Sequence, residues 1–235
     1  MSEWAPKRFW KATEAAPVDG GFTVLLDGRT VKTPAKATLV VPTEDLANAV
    51  AQEFAAQDEF IDPNTMPFTR TCNSAIDKVR VQHAEVADLL ADYGDSDLLC
   101  YRADGPDELV ARQADKWDPL LDWAAETLGA RLAPRVGVMH SPQDTQAIAA
   151  LRKKVHALDA FQLAAFHDLV SMSGSLIIGF AAKSDAWPIS ELWDVSRLDE
   201  LWQEEQWGVD EEAQDIVAIK KTAFEHAHAF MTMVR

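Results

Sequence analysis

The sequence predicts an α+β protein, with a small N-terminal antiparallel β domain over residues 1–42 and a larger multihelical domain over residues 43–235. Three observations predict it. Strand-like runs crowd into the first 42 residues and are separated by turn residues. From Thr43 onward apolar residues recur at helical spacing. Strands and helices do not alternate, which argues against a parallel doubly wound sheet.

Each element has its own local reason. Phe22-Thr-Val-Leu-Leu26 and Arg29-Thr-Val-Lys-Thr33 flank Asp27-Gly28, and Asp-Gly between two such runs is a strong hairpin signal. Pro34 ends the second strand, and Thr38-Leu-Val-Val41 reads as a third, closed by Pro42. Thr43 is the expected N-cap of the first helix, with Glu44 and Asp45 in a first turn where acids suit the helix dipole. A proline-bearing loop over 58–67 follows, then helical segments over about 68–92 and 106–128. Ser141-Pro142 is expected to open the next helix, and Asp159 with Gln162 to form a capping box for the one after. Residues 169–182 are too short an apolar stretch to span a bilayer and read as a buried helix. Pro188 and Gly208 bracket one further helix, and Asp210 starts the last.

Composition excludes several function classes. The 235 residues carry a formal net charge of −16. That charge repels polyanions and offers no basic stripe for phosphate contacts, so neither nucleic acid nor an anionic membrane is an expected partner. Cys72 and Cys100 lack CxxC spacing and read as buried thiols in a reducing compartment. The first residues lead into no signal-peptide segment, so a soluble cytoplasmic protein is expected.

Catalytic constellations are missing as well. There is no glycine-rich phosphate loop, no GxSxG elbow and no HExxH. His226 and His228 lie about 200° apart around a helix and cannot easily share a metal, which suggests a solvated C-terminal helix. Asp92, Asp95 and Asp97 cluster within six residues but lack the order of a calcium loop. They read as a helix break at Gly94, with Asp95 or Ser96 capping the next segment. The sequence therefore predicts no catalytic residue, no metal and no cofactor.

Eight tryptophans stand out, at 4, 10, 117, 123, 187, 193, 202 and 207. Trp117 and Trp123 are expected in the core, although tryptophan is equally an interface residue. From Glu191 to Asp215 there are ten acids and one basic residue, Arg197. A solvated acidic face explains most of them. Asp199 does not fit that face. On one continuous helix it falls inside the apolar stripe with Leu192, Val195 and Trp202. Such a carboxylate either pairs locally, with Lys220 or Lys221 or as a cap, or is presented to an incoming protein.

A series of short matches then carries a family resemblance. It begins with Lys7-Arg-Phe-Trp-Lys11, Leu26-Asp-Gly-Arg29 and Lys32-Thr-Pro-Ala35. It continues through Val41-Pro-Thr43, Ala51-Gln-Glu53, Ile61-Asp-Pro63, Thr65-Met-Pro67 and Asn73-Ser-Ala-Ile-Asp77. Asp97-Leu-Leu-Cys-Tyr-Arg102, Trp117-Asp-Pro-Leu120, Ser196-Arg-Leu-Asp-Glu200 and Trp207-Gly208 complete it. In order and extent the chain resembles the ATP-twelve family of assembly chaperones. The resemblance implies a binding protein and not an enzyme. Its implied client is the unassembled α subunit of the F-type ATP synthase, whose subunit interface it would cover until the catalytic hexamer forms. It implies a functional carboxylate in the Ser-Arg-Leu-acid block, here Asp199, where the family often has Glu. The implied partner-binding set is Asp199, Arg197, Glu200, Trp202, Gln203 and Trp207, acting in a monomer without cofactor. Two other readings compete: a scaffold for a different multisubunit complex, and an enzyme of unknown class using one of the 92–97 aspartates with a histidine.

Overall fold

The Asp27-Gly28 pair turns the chain as its residue types demand, in a computed structural model that describes residues 7–235, with only the backbone of Glu211 and Glu212. Trp4 and the rest of the first six residues lie outside the described part. Asp27 (φ 48°) and Gly28 (φ 77°) both take the left-handed conformation of a tight hairpin turn. They join β2 (Gly21–Leu26) to β3 (Arg29–Thr30). The Asp27 carboxylate accepts from the backbone N–H groups of Lys11 and Ala12, bonds that hold it below its ordinary pKa.

The sheet is larger than the sequence suggested. A strand absent from the expectation, β1 (Thr13–Val18), pairs antiparallel with all of β2, from Thr13↔Leu26 to Val18↔Gly21. β4 (Val40–Val41) takes the other edge of β2, with Phe22 opposite Val41. Gly21 is needed where these strands crowd: a Cβ there would lie 2.2 Å from the Val41 carbonyl oxygen. Val24 and Leu26 face inward. Over this sheet packs α1 (Glu44–Ala55), which buries Leu46, Ala47, Val50, Ala51 and Phe54 at helical spacing. Trp10 is buried against Phe54 and donates its indole N–H to the Phe54 carbonyl at 3.2 Å.

Thr43 caps α1 by accepting from the Leu46 N–H, and its hydroxyl donates to the Met233 carbonyl, 190 positions along the chain. α2 (Pro67–Ser74) begins on a proline, and its first free N–H groups are met by Glu53, which accepts from Phe68 and Thr69 at 2.7 Å. The chain divides into two compact units. The first holds residues up to His83 together with Ala160–Ala164 and Ala229–Arg235; the second holds Ala84–Asp159 and Ala165–His228. In the first, the Gln162 side chain donates to the Val234 carbonyl and Phe68 stacks on Phe230.

The second unit is helical. α3 (His83–Ala91) leads through single turns to a short parallel pair, β5 (Tyr101–Arg102) with β6 (Arg135–Val136). Between those strands runs α4 (Asp107–Trp123), which carries the buried Trp117. α5 (Thr145–His156) is capped by Asp144, which accepts from Gln146 and Ala147; Ser141-Pro142 does not open it, because Asp144 is the residue whose carboxylate reaches two free N–H groups. The apolar stretch 169–182 is not one helix. Gly174 (φ 69°) ends α6 (Ala160–Ser173), and Ser175 caps α7 (Leu176–Lys183). Gly179 lets α7 lie close against α6, where a Cβ would meet Val170 at 2.7 Å. Among the described residues no helix is long and apolar enough to cross a membrane.

The segment expected between Pro188 and Gly208 is also two helices, α8 (Ile189–Ser196) and α9 (Leu198–Trp207). Arg197 (φ −115°, ψ 21°) breaks them, and the Ser196 hydroxyl turns back to the Trp193 carbonyl. Asp210 accepts from the Ala213 N–H at the start of α10 (Glu211–Met233). The C-terminal half of α10 is not solvated, since Phe224, Ala227, Phe230 and Met231 are buried.

Candidate functional site

The break at Arg197 re-aims α9, and its residues point two ways. Positions 200, 203, 204 and 207 share one helical face. Together with Arg197 they line a groove of about 720 Å³, completed by Leu98, by the end of α6 from Ser171 to Gly174, by Trp193 of α8, and by Ala213, Ile216, Val217 and Lys220 of α10. Arg197 donates to Glu204 at 3.0 Å, and Gln214 of α10 reaches the same carboxylate at 3.2 Å, so this wall is tied together internally. Both ion-pair partners are largely shielded, which favours a fixed geometry over a loose surface pair.

The other side of α9 faces α4. The Gln113 carboxamide, 1% exposed, donates to Asp199 at 2.7 Å and accepts the Ala103 N–H at 2.9 Å. Arg112 forms a two-pronged ion pair with Glu205, at 2.8 and 2.9 Å, and lies 4.9 Å over the Trp202 ring. That pairing raises the Arg112 pKa and lowers that of Glu205. Of the six residues singled out from the sequence, Arg197, Glu200, Gln203 and Trp207 therefore meet in the groove. Asp199 and Trp202 anchor the helix from behind. The local partner of Asp199 is Gln113 and not Lys220 or Lys221. Sequence reasoning missed Glu204 and the α10 wall. No local pattern in the sequence marks either, although Ile216 of that wall is 58% exposed.

Asp199→Lys removes the one acceptor that the Gln113 amino group has among the described residues, so a melting temperature lower by about 4–8 °C is expected from roughly 2 kcal/mol of lost satisfaction. Asp199→Asn retains an acceptor and should recover most of it. Thermal unfolding by circular dichroism checks both, and a lysine variant that melts like the parent would refute an anchoring role.

The aspartate cluster has a structural account. Asp97 is fully buried and caps the turn Leu98–Cys100 through the Leu99 N–H. Its second oxygen accepts the Ile177 N–H at 3.1 Å, and the Ser175 hydroxyl also bonds to it. Burial pushes its pKa up to about 6. Asp97 rather than Asp95 or Ser96 is the cap. Asp95 instead accepts the Gln143 N–H. Cys72 and Cys100 are buried thiols, and burial pushes both pKa values up. Among the described residues no three His, Cys, Asp or Glu side chains converge as metal ligands.

The groove offers indole, aliphatic and carboxylate surface, a composition suited to holding another protein. Comparison with known proteins shows the family. The model of a family described as ATP12 chaperone protein matches residues 7–125. The chain is 27% identical over 222 residues to "Protein atp12, mitochondrial" of Schizosaccharomyces pombe, covering 89% of this chain and 76% of that protein. The crystal structure of Atp12 from Paracoccus denitrificans has a TM-score of 0.95 at 47% identity, covering 97% of this chain and 98% of that one. An Atp12p mutant of P. denitrificans, an aspartate changed to lysine, gives 0.95 at 46% identity with the same coverage.

Proposed function

The chain belongs to the ATP12 chaperone family, and from that premise we propose that it binds the unassembled α subunit of the F-type ATP synthase and shields its subunit interface until the catalytic hexamer assembles. The observation that carries this reading is the family match together with the agreement of fold over nearly the whole chain. The exposed indole and aliphatic side chains beside the groove support it, because an assembly chaperone must cover apolar surface that the client later gives to its true partner. Arg197, Glu200, Gln203 and Trp207 are the proposed client contacts, with Asp199 and Trp202 fixing the helix that presents them. The net charge of −16 keeps the complex soluble, and release requires only that the later partner compete better. No step of this cycle calls for a nucleotide, a metal or a nucleophile. The proposed setting is the bacterial cytoplasm, with the protein acting as a monomer.

Affinity capture from cells, read by mass spectrometry, tests it. The expected result is enrichment of the α subunit without stoichiometric β. Capture of some other subunit, or of α only within the whole synthase, overturns the reading.

A further inference from the structure

Several features of the groove point to one kind of occupant. Leu98, Met172 and Trp193 give it apolar lining. At its edge Trp207 is 79% exposed, and among the described residues no ring packs against it and no hydrogen bond holds it. Val209 and Ile216, 59% and 58% exposed, extend the apolar surface. A volume near 720 Å³ takes a few large side chains, as when the apolar anchors of an amphipathic helix at i, i+3, i+4 and i+7 enter a trough.

The groove lining carries Glu200, Glu204 and Asp210 against Arg197 and Lys220, and the segment that forms its α9 wall is acidic. Residues 199–215 contain eight acids and no lysine or arginine. Of the acids lining the groove, Glu204 is already neutralised by Arg197, whereas Glu200 is exposed and forms no ion pair among the described residues. A second copy of a chain at −16 would bring like charge to this surface and be repelled. A partner with cations beside its apolar stripe would be drawn to it.

Resting on the chaperone reading above, we propose that the groove takes an amphipathic helical segment of the client whose apolar stripe is flanked by lysine or arginine, with Trp207 packed on the stripe and Glu200 paired to a flanking cation. The segment is recognised by that pattern. Trp207 supplies most of the affinity, as a buried aromatic anchor does. Glu200 sets orientation and the speed of encounter.

The test uses the full chain and purified client. Benzoyl-phenylalanine is placed at Trp207, and as a control at Leu89, an exposed apolar residue of α3 outside the groove. Wild-type capture of the α subunit is established first. The expected crosslink from position 207, and not from 89, falls in one client peptide with apolar residues at helical spacing and adjacent Lys or Arg. Trp207→Ser is expected to weaken client binding about thirtyfold, and Glu200→Lys about tenfold with a flattened dependence on salt between roughly 0.05 and 0.5 M. Both substitutions are at exposed positions, and unchanged circular dichroism confirms that the variants fold. Wild-type capture with a crosslink into a neutral or acidic client segment, or with Glu200→Lys binding unchanged, overturns this inference and leaves the chaperone function standing. A crosslink to a second copy overturns it in favour of self-association. Failure of the wild type to capture the client overturns both.

Discussion

At neutral pH, Asp97→Ala lowers the free energy of unfolding by about 3 kcal/mol, because the Leu99 and Ile177 N–H groups lose a buried acceptor. The effect reaches beyond the turn. Asp97 joins the 98–102 segment to the first turn of α7, and the adjoining Leu98 donates its N–H to the Gly174 carbonyl, with both residues lining the groove. The pH dependence has a definite sign. Burial holds the folded carboxyl at about 6 against the ordinary 3.8, so the folded protein binds this proton more tightly than the unfolded chain. The stability linked to that proton is fully present below about pH 4 and is lost as pH rises through about 6. Across that window it amounts to on the order of 3 kcal/mol. The difference between wild type and Asp97→Ala should therefore be larger at acid than at neutral pH, the reverse of a salt-bridged aspartate. Urea titrations of both proteins from about pH 4 to 8 measure it. A penalty that is flat or shrinks on acidification would show that Asp97 does not take up a proton there.

Trp117→Ala is expected to cost about 4 kcal/mol, the range for emptying a large aromatic site in a core. Trp117 is 1% exposed, the Arg102 guanidinium covers its ring at 5.4 Å, and its indole N–H donates to the Val195 carbonyl at 3.0 Å. Val195 lies in the last turn of α8, two residues before the break that aims α9, so the bond registers α8 on α4. Trp117→Phe separates packing from registration. It retains most of the ring volume, loses the indole donor, and should cost about 1–2 kcal/mol. The phenylalanine protein should also bind client more weakly than its stability loss explains, through displacement of Arg197 and Glu200. Chemical unfolding and client titration in parallel decide this. Unimpaired binding by a destabilised Trp117→Phe would confine the indole to the core.

The parts of the fold legible in the sequence were those specified by neighbours. Asp27-Gly28 and the Thr43 cap act over two to four residues, and both appear where local chemistry puts them. β1 escaped because Glu14-Ala-Ala-Pro17 has poor strand propensity and is strand only through pairing with β2. The continuous wheel through Asp199 failed because an apolar rhythm can persist across a break, and nothing in the residue types around Arg197 announces one. A fully buried Asp97 runs against the strong tendency of aspartate to stay at the surface, and one of its donors, the Ile177 N–H, lies 80 positions away in α7. The α10 wall of the groove was out of reach for the same reason: it meets α9 and the end of α6 only in three dimensions.

The hydroxyl of Thr43 bonded to Met233 has a consequence for how this protein comes into being. The unit that carries the N-terminal sheet also contains Ala229–Arg235, where Phe230 and Met231 are fully buried and Val234 nearly so. On the ribosome, the first 83 residues emerge long before the segment that completes their core. At typical elongation rates of about 5–20 residues per second, they wait on the order of ten seconds or more, collapsed around an unfilled place. The first-made unit is thus sealed by a segment translated long after it, and until then it is itself an unfinished assembly.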